Sequence, residues 1–160
     1  MNAADILKYG HRTVLQTIPD LPADAWETLG ACGVWSCKDI IAHLDSYEHV
    51  LVDILATFLG SDPTPSLDLF RDPNGDFNDG QVALRKRSTV GDIVAEYYDT
   101  CPQTMELIGR IAAETLRQSG TIPWYGAEYA LHDLIVYMYY GHKREHAAQI
   151  AAFRDRMKQL

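Results

Sequence analysis

Cysteine and long apolar runs are both scarce in this sequence. Its 160 residues include only three cysteines, Cys32, Cys37 and Cys101, whose spacing matches neither a Cys-x-x-Cys metal clip nor the paired cysteines of a small secreted domain. No stretch reaches the ~18 apolar residues of a membrane span, and the first residues lack the basic and apolar segments of a secretory signal. We therefore expect reduced thiols, a cytoplasmic location and no membrane partner.

Basic residues are also few. Lys and Arg total 14 against 22 Asp and Glu, which gives a formal charge of -8. Because no local run of basic residues offsets this charge, nucleic acid is not expected as a partner. A chain of this length can bury an apolar core without disulfides, so we predict a single domain over residues 1–160.

The apolar residues recur at helical spacing and nowhere alternate over the length of a strand, which predicts the all-α class. Pro102 lies inside the third predicted helix and predicts a kink. The second helix is opened by a capping box, Ser36 with Asp39,. The four predicted helices run from Ala3 to Ile18, from the capping box to Gly60, from Thr89 to Leu116 and from Ala127 to Lys158.

The connection between the second and third helices is long. It extends from Ser61 to Ser88, is rich in Pro, Asp, Gly and Asn, and is predicted to hold one short helix after Asn78,. A crossover of this length lets the two helices that it joins run parallel, as in four-helix bundles with one long connection. We therefore predict a four-helix bundle.

Three histidines lie on apolar helix faces. His142 and His146 are four residues apart on the last helix, so both rings project from one face,. His43 follows Ile40 by three residues and precedes Tyr47 by four, which places it on the buried face of the second helix,. Buried imidazoles need partners, and a divalent ion satisfies three at once, leaving an open coordination position. Imidazole ligands suit zinc, nickel, copper, cobalt or iron.

The sequence leaves other interpretations of these residues open. An HxxxH pair on its own is often only hydrogen-bonded or exposed. His11 also lies on an apolar face and is interpreted as a hydrogen-bonded core or rim residue rather than a fourth ligand, whereas His49 and His132 are interpreted as solvated,. Glu145 completes an H-x-x-E-H pattern and is a candidate catalytic base, although its position next to the buried face favours a carboxylate that is solvated or orients a ligand.

The sequence resembles the DinB/YfiT-like metal-binding four-helix bundles. The resemblance implies an up-down-down-up bundle, frequent homodimers, and a zinc, nickel or similar ion on His43, His142 and His146. It covers nearly the whole chain and rests on Trp35-Ser36, Asp39 to Leu44, Asp76-Phe77-Asn78, His142, Glu145-His146 and Gln149-Ile150.

A second, partial resemblance is to the ClbS-like bundles, which protect their hosts from a reactive genotoxin. It rests on the segment Pro123-Trp124-Tyr125-Gly126 just before the last helix. Those proteins generally lack paired histidines on that helix, so His142 and His146 place this chain nearer the metal-binding group. The same segment also fits an aromatic turn at one end of a bundle.

Three functions remain as hypotheses, each with a small-molecule substrate or ligand. The first is a metal-dependent S-transferase that delivers a low-molecular-weight thiol such as bacillithiol, mycothiol or glutathione to an electrophile. The second is a metal-dependent hydrolase in which Glu145 accepts a proton. The third is a non-catalytic or self-resistance protein that binds a ligand in an aromatic pocket. The residues predicted to line this pocket are Tyr47, Tyr97, Trp124 and Tyr139.

Overall fold

The computed structural model describes residues 1–160 and is all-helical, which confirms the predicted class. It contains no strand, only an isolated bridge between Cys32 and Trp35. None of the helices combines the length and apolar character needed to cross a membrane. The helices are α1 (Ala3–Leu15), α2 (Cys37–Phe58), α3 (Pro65–Arg71), α4 (Phe77–Leu84), α5 (Val90–Gly109), α6 (Ala113–Arg117), α7 (Leu131–Leu134) and α8 (His142–Met157), with a π-helical segment (Ile135–Gly141) between α7 and α8.

Three predicted helix ends were wrong. The first helix stops at Leu15 instead of Ile18, because the Thr17 hydroxyl donates to the Val14 carbonyl and competes with the helical pattern,. The third stops at Gly109 instead of Leu116, since Ala112 has an extended backbone before α6 begins. The last begins at Leu131 rather than Ala127, where the Asp133 carboxylate accepts from the Ala130 amide at 2.8 Å,.

The crossover holds two helices where one was predicted. The backbone amides of Ser66 and Leu67 at the start of α3 donate to the Asp53 carboxylate of α2, at 2.7 and 3.0 Å. This contact satisfies donors that the helix itself leaves free and fastens α3 to α2. The seven residues of α3 are too few for helical periodicity to be recognised in the sequence.

Helix α2 is the central element of the fold. Its predicted capping box is confirmed, with both reciprocal hydrogen bonds between Ser36 and Asp39. Helix α2 packs along α5, and α1 packs against α5 and the last helix. The apolar core forms two clusters, one around Ile40 and Leu44 and one around Leu51. Buried polar residues of α2, including Glu48, lie between the two clusters.

Helix α1 and the π-helical segment approach each other closely at Gly10. A Cβ atom at this position would lie 3.3 Å from both the Tyr139 carbonyl oxygen and Lys143 Cδ. The Tyr139 hydroxyl donates to the Tyr47 carbonyl oxygen of α2 at 3.0 Å. The segment that leads into His142 is therefore held against both α1 and α2 before the histidines of α8 begin.

Candidate metal centre

The three predicted histidines meet between α2 and α8. His142 Nε2 lies 2.9 Å from His43 Nε2 and 3.0 Å from His146 Nε2. His43 and His146 are buried and His142 is partly exposed. One nitrogen from each ring therefore faces the same point, at the edge of the core rather than deep inside it.

The outward nitrogen of the His146 ring has an acceptor. His146 Nδ1 lies 2.8 Å from Gln149 Oε1. An Nδ1 that donates its hydrogen to such an acceptor leaves Nε2 with a free lone pair. This lone pair faces His142 Nε2 at 3.0 Å, where a divalent ion between the rings would use it as a ligand,. The donor set therefore fits a metal ion.

His43 is held differently from the other two histidines. Its Nδ1 is buried without a hydrogen-bond partner, and its ring packs between Trp35 and Tyr47, with centroid separations of 4.8 Å to each. Helix α4 holds these two aromatic residues: Trp35 Nε1 donates to Asp79 Oδ1 at 3.1 Å, and the Tyr47 hydroxyl donates to Asn78 Oδ1 at 3.2 Å. The crossover thus fixes the walls around His43.

The spacing of the nitrogens suits coordination. Two nitrogens at ~2.0–2.1 Å from a tetrahedral ion lie about 3.3 Å apart. The observed separations of 2.9 and 3.0 Å differ from that value by a few tenths of an ångström. The three side chains can thus hold a divalent ion with only a small outward movement.

Burial keeps these imidazoles neutral. Together with the neighbouring histidines, it lowers the pKa of His43 to about 3 and that of His142 to about 4. Burial also lowers the pKa of His146, against the opposing effects of its hydrogen bond to Gln149 and the charge of Glu145. Neutral imidazole is the form that binds metals, so the site is ready to bind an ion at pH 7.

The same shifts predict how the metal-free protein responds to acid. Burial also lowers the pKa of His11, so these four histidines take up protons more readily in the unfolded chain than in the folded one. The free energy of unfolding should therefore fall as pH drops below the unfolded value of 6.5,. Urea denaturation at pH 7.5 and about pH 5 measures the loss. A His43→Gln, His142→Gln variant should lose less, and an equal loss would contradict the assignment.

His142 connects the cluster to solvent. It lines an open cavity of about 350 Å³, within the size range of small-molecule sites. Glu145 is exposed and lines the same cavity, one helical turn from His142. The other lining residues are Tyr47, Tyr137, Met138 and Gly141.

The four aromatic residues predicted to form one pocket lie in different surroundings. Tyr47 lines the cavity at His142, and Trp124 lines a neighbouring cavity. Tyr139 is buried in the core, where its hydroxyl donates to the Tyr47 carbonyl oxygen and its ring centroid lies 6.4 Å from that of Tyr47. Tyr97 is fully buried in the cluster that contains Cys101 and lines neither cavity.

The other three histidines lie outside the candidate metal centre. His11 is a buried core residue whose Nε2 lies 2.9 Å from Glu48 Oε2, as its apolar setting indicated. Because its pKa is lowered, this contact is a hydrogen bond from neutral His11. His49 is not the solvated residue predicted, since its ring is half-buried and lies between the carboxylates of Asp45 and Glu96. His132 is half-buried and forms no side-chain hydrogen bond.

Sequence reasoning missed a buried ion pair behind the centre. Lys143, next to His142, pairs with Glu48, and both side chains are almost completely buried. Burial alone would raise the pKa of Glu48, but Lys143 and His11 hold it at about 2. Glu48, His11 and Cys101 also lie close enough to share an ion. Lys143 already balances the carboxylate, however, and burial raises the pKa of Cys101 to about 12, so this cluster favours the ion pair.

The positions of Glu48 and Lys143 in the sequence indicate that both lie on buried helix faces. Glu48 follows Leu44 by four residues and precedes Leu51 by three, and Lys143 lies four residues from both Tyr139 and Ala147. Each charged residue therefore interrupts a buried face, and two opposite charges on facing helices indicate a pair.

No protein-family model, curated protein or solved structure matches this chain.

Proposed function

We propose that this protein is a metal-dependent enzyme acting on a small molecule, with a divalent ion, zinc or nickel, on His43, His142 and His146. The observation that carries this proposal is the convergence of three neutral imidazoles, with Nε2 separations of 2.9 and 3.0 Å, at a cavity open to solvent. We further propose the DinB/YfiT-like family, its up-down-down-up four-helix arrangement and a homodimer. The motifs that the sequence shares with that family support these assignments.

The proposed reaction is S-transfer from a low-molecular-weight thiol to an electrophile. A bound divalent ion supplies positive charge that stabilises a ligated thiolate at neutral pH. The chain itself supplies the cavity wall of Tyr47 and Met138, which positions the reactants,. The thiol sulfur forms a bond to the electrophilic carbon, the leaving group departs with its electron pair, and the thiol proton passes to solvent.

A conjugation assay tests the reaction. Zinc- or nickel-loaded protein is mixed with bacillithiol, mycothiol or glutathione and 1-chloro-2,4-dinitrobenzene, and chloride release and thioether formation are followed. We expect a rate above that of the uncatalysed reaction for at least one thiol, lost in His142→Ala. The same rate with and without protein for all three thiols would rule out S-transfer while leaving the metal site untouched.

The position of Glu145 favours hydrolysis as a second candidate. Glu145 lines the cavity that His142 also lines, and a carboxylate there can serve as a general base,. Screening of ester, amide and phosphoester substrates with the metal-loaded protein tests this function. A hydrolase should lose the acidic limb of its pH-rate profile in Glu145→Gln. An unchanged pH-rate profile in Glu145→Gln would show that Glu145 is a solvated residue. Ligand binding that persists after all three histidines are replaced would favour a non-catalytic binding protein.

Gln149 provides a prediction for the proposed ion. Its Oε1 accepts from His146 Nδ1 at 2.8 Å and so fixes the nitrogen that faces the centre,. Gln149→Leu should weaken zinc binding by about 10- to 100-fold, as loss of such an outer hydrogen bond generally does. Competition with a zinc-binding chromophore measures the affinity. Gln159→Leu, an exposed glutamine near the chain end, is the matched control, and equal affinities in the two variants would contradict the role of Gln149.

A further inference from the structure

A second cavity borders the cavity at His142. It has a volume of about 590 Å³ and shares the lining residue Met138 with the first. Methionine is flexible and adapts its shape to apolar ligands, so one ligand can extend past Met138 from the first cavity into the second. The other residues that line the second cavity are Phe70, Arg71, Trp124 and Tyr125.

Aromatic rings connect the histidines to the far end of the second cavity. The Tyr47 ring lies 4.6 Å from the His142 ring and 5.5 Å from the Phe70 ring, between centroids. Phe70 in turn lies 6.2 Å from Trp124. All three aromatic side chains are partly exposed. They therefore offer a continuous apolar surface to a ligand longer than the first cavity alone could hold.

An uncompensated cation lies at the end of this surface. The Arg71 guanidinium carbon is 5.6 Å from the centroid of the Trp124 ring, and Arg71 takes part in none of the ion pairs of the protein. Arg71 is exposed and lines the second cavity beside Trp124, so its guanidinium is accessible to a ligand there.

The two ends of the combined cavity differ in charge, which orients a ligand. Arg71 offers parallel donors that match a carboxylate, and the adjoining indole face supports an apolar body. Glu145 lies at the other end, beside His142, and disfavours a free carboxylate there,. A neutral or metal-binding group is the better occupant of that end.

We propose that the ligand is a carboxylic acid with an apolar or aromatic body, whose carboxylate binds Arg71 and whose body lies along Trp124, Phe70 and Tyr47. This inference rests on the proposed function, in which the opposite end of the same molecule reaches the histidine centre. The substrate class of that site is then a carboxylic acid, and Arg71 is the residue that selects it.

Isothermal titration calorimetry with ω-phenylalkanoic acids and the corresponding primary alcohols tests the proposal. Both series, with chains of about four to eight carbons, are measured on metal-free and on zinc-loaded protein. The acids should bind at least about tenfold more tightly than the alcohols, as charge-assisted pairing with an arginine provides. Arg71→Gln should remove the preference and Arg110→Gln, an exposed arginine outside the cavity, should keep it.

The outcomes separate the two proposals. Equal affinity for acid and alcohol, no binding of either, or a preference that survives Arg71→Gln would overturn the substrate class even where zinc binds stoichiometrically. A preference that depends on Arg71 in protein unable to bind zinc would support the acid site and overturn the metal-dependent function. Because a carboxylate can itself ligate zinc, the titrations of metal-free protein and of Arg71→Gln distinguish binding at Arg71 from binding at the ion.

Discussion

Replacing Glu48 with alanine is expected to lower the free energy of unfolding by about 3–5 kcal/mol, the usual effect of leaving a buried charge without its partner. The charge left behind is Lys143, which is 1% exposed. Glu48 also accepts from His11 Nε2 at 2.9 Å, so buried His11 loses its acceptor too, whereas the Thr104 hydroxyl keeps the Cys101 carbonyl as an acceptor at 2.9 Å. Urea denaturation of the metal-free variants at pH 7.5 measures the change.

Two variants show whether the ion pair is the cause. Glu106→Ala removes an exposed, unpaired glutamate of α5 and should change stability by no more than about 0.5 kcal/mol. Glu48→Leu combined with Lys143→Met removes both charges and should be more stable than Glu48→Ala, since no buried charge is left alone. A Glu48→Ala variant as stable as Glu106→Ala would show that the pair does not stabilise the fold.

The pKa of Glu48 adds a pH dependence to this expectation. Because the pKa lies at about 2 in the folded protein against 4.5 for the free side chain, the contribution of Glu48 is complete above pH 4.5. It is lost as pH falls through 2. The difference between wild type and Glu48→Gln should therefore shrink in strong acid.

Zinc or nickel is expected to raise the melting temperature by about 8–16 °C when the free ion exceeds its dissociation constant a thousandfold. An ion that binds only the folded chain adds about 4 kcal/mol at that excess, and each kcal/mol corresponds to about 2–4 °C for a chain of this size. The effect should vanish in a variant with alanine at His43, His142 and His146. Differential scanning calorimetry with and without the ion measures it.

A control separates this site from adventitious binding to other histidines. His132→Ala removes a histidine that lies outside the cluster and should keep the full rise in melting temperature. Equal rises in the triple variant and in wild type would place the ion elsewhere on the chain. Circular dichroism of the triple variant checks that its helices remain.

Much of this architecture was predictable because local signals and tertiary packing agree. The capping box at Ser36 begins α2 as predicted, since its hydrogen bonds involve only residues three apart,. The helical spacing of His142 and His146 was sufficient to place both rings on one face. Their meeting with His43 followed from its place on the buried face of α2, although the angle between the helices was not predictable.

The features that were missed depend on contacts distant in sequence. The start of α3 is stabilised by Asp53 of another helix, and the close approach of α1 to the last helix is possible because position 10 is a glycine. The π-helical segment before His142 has no signal in the run of apolar and aromatic residues from 135 to 141. Its place next to the candidate ligands agrees with the frequent occurrence of π-helical turns at functional sites.

Metal content tests the central claim most directly. The protein is purified without an affinity tag, incubated with zinc or nickel, freed of unbound ion and analysed by elemental mass spectrometry beside the triple alanine variant and His132→Ala. The proposed centre predicts about one ion per chain in wild type and His132→Ala and none in the triple variant. No retained ion in wild type, or the same content in all three proteins, would contradict a metal centre at His43, His142 and His146.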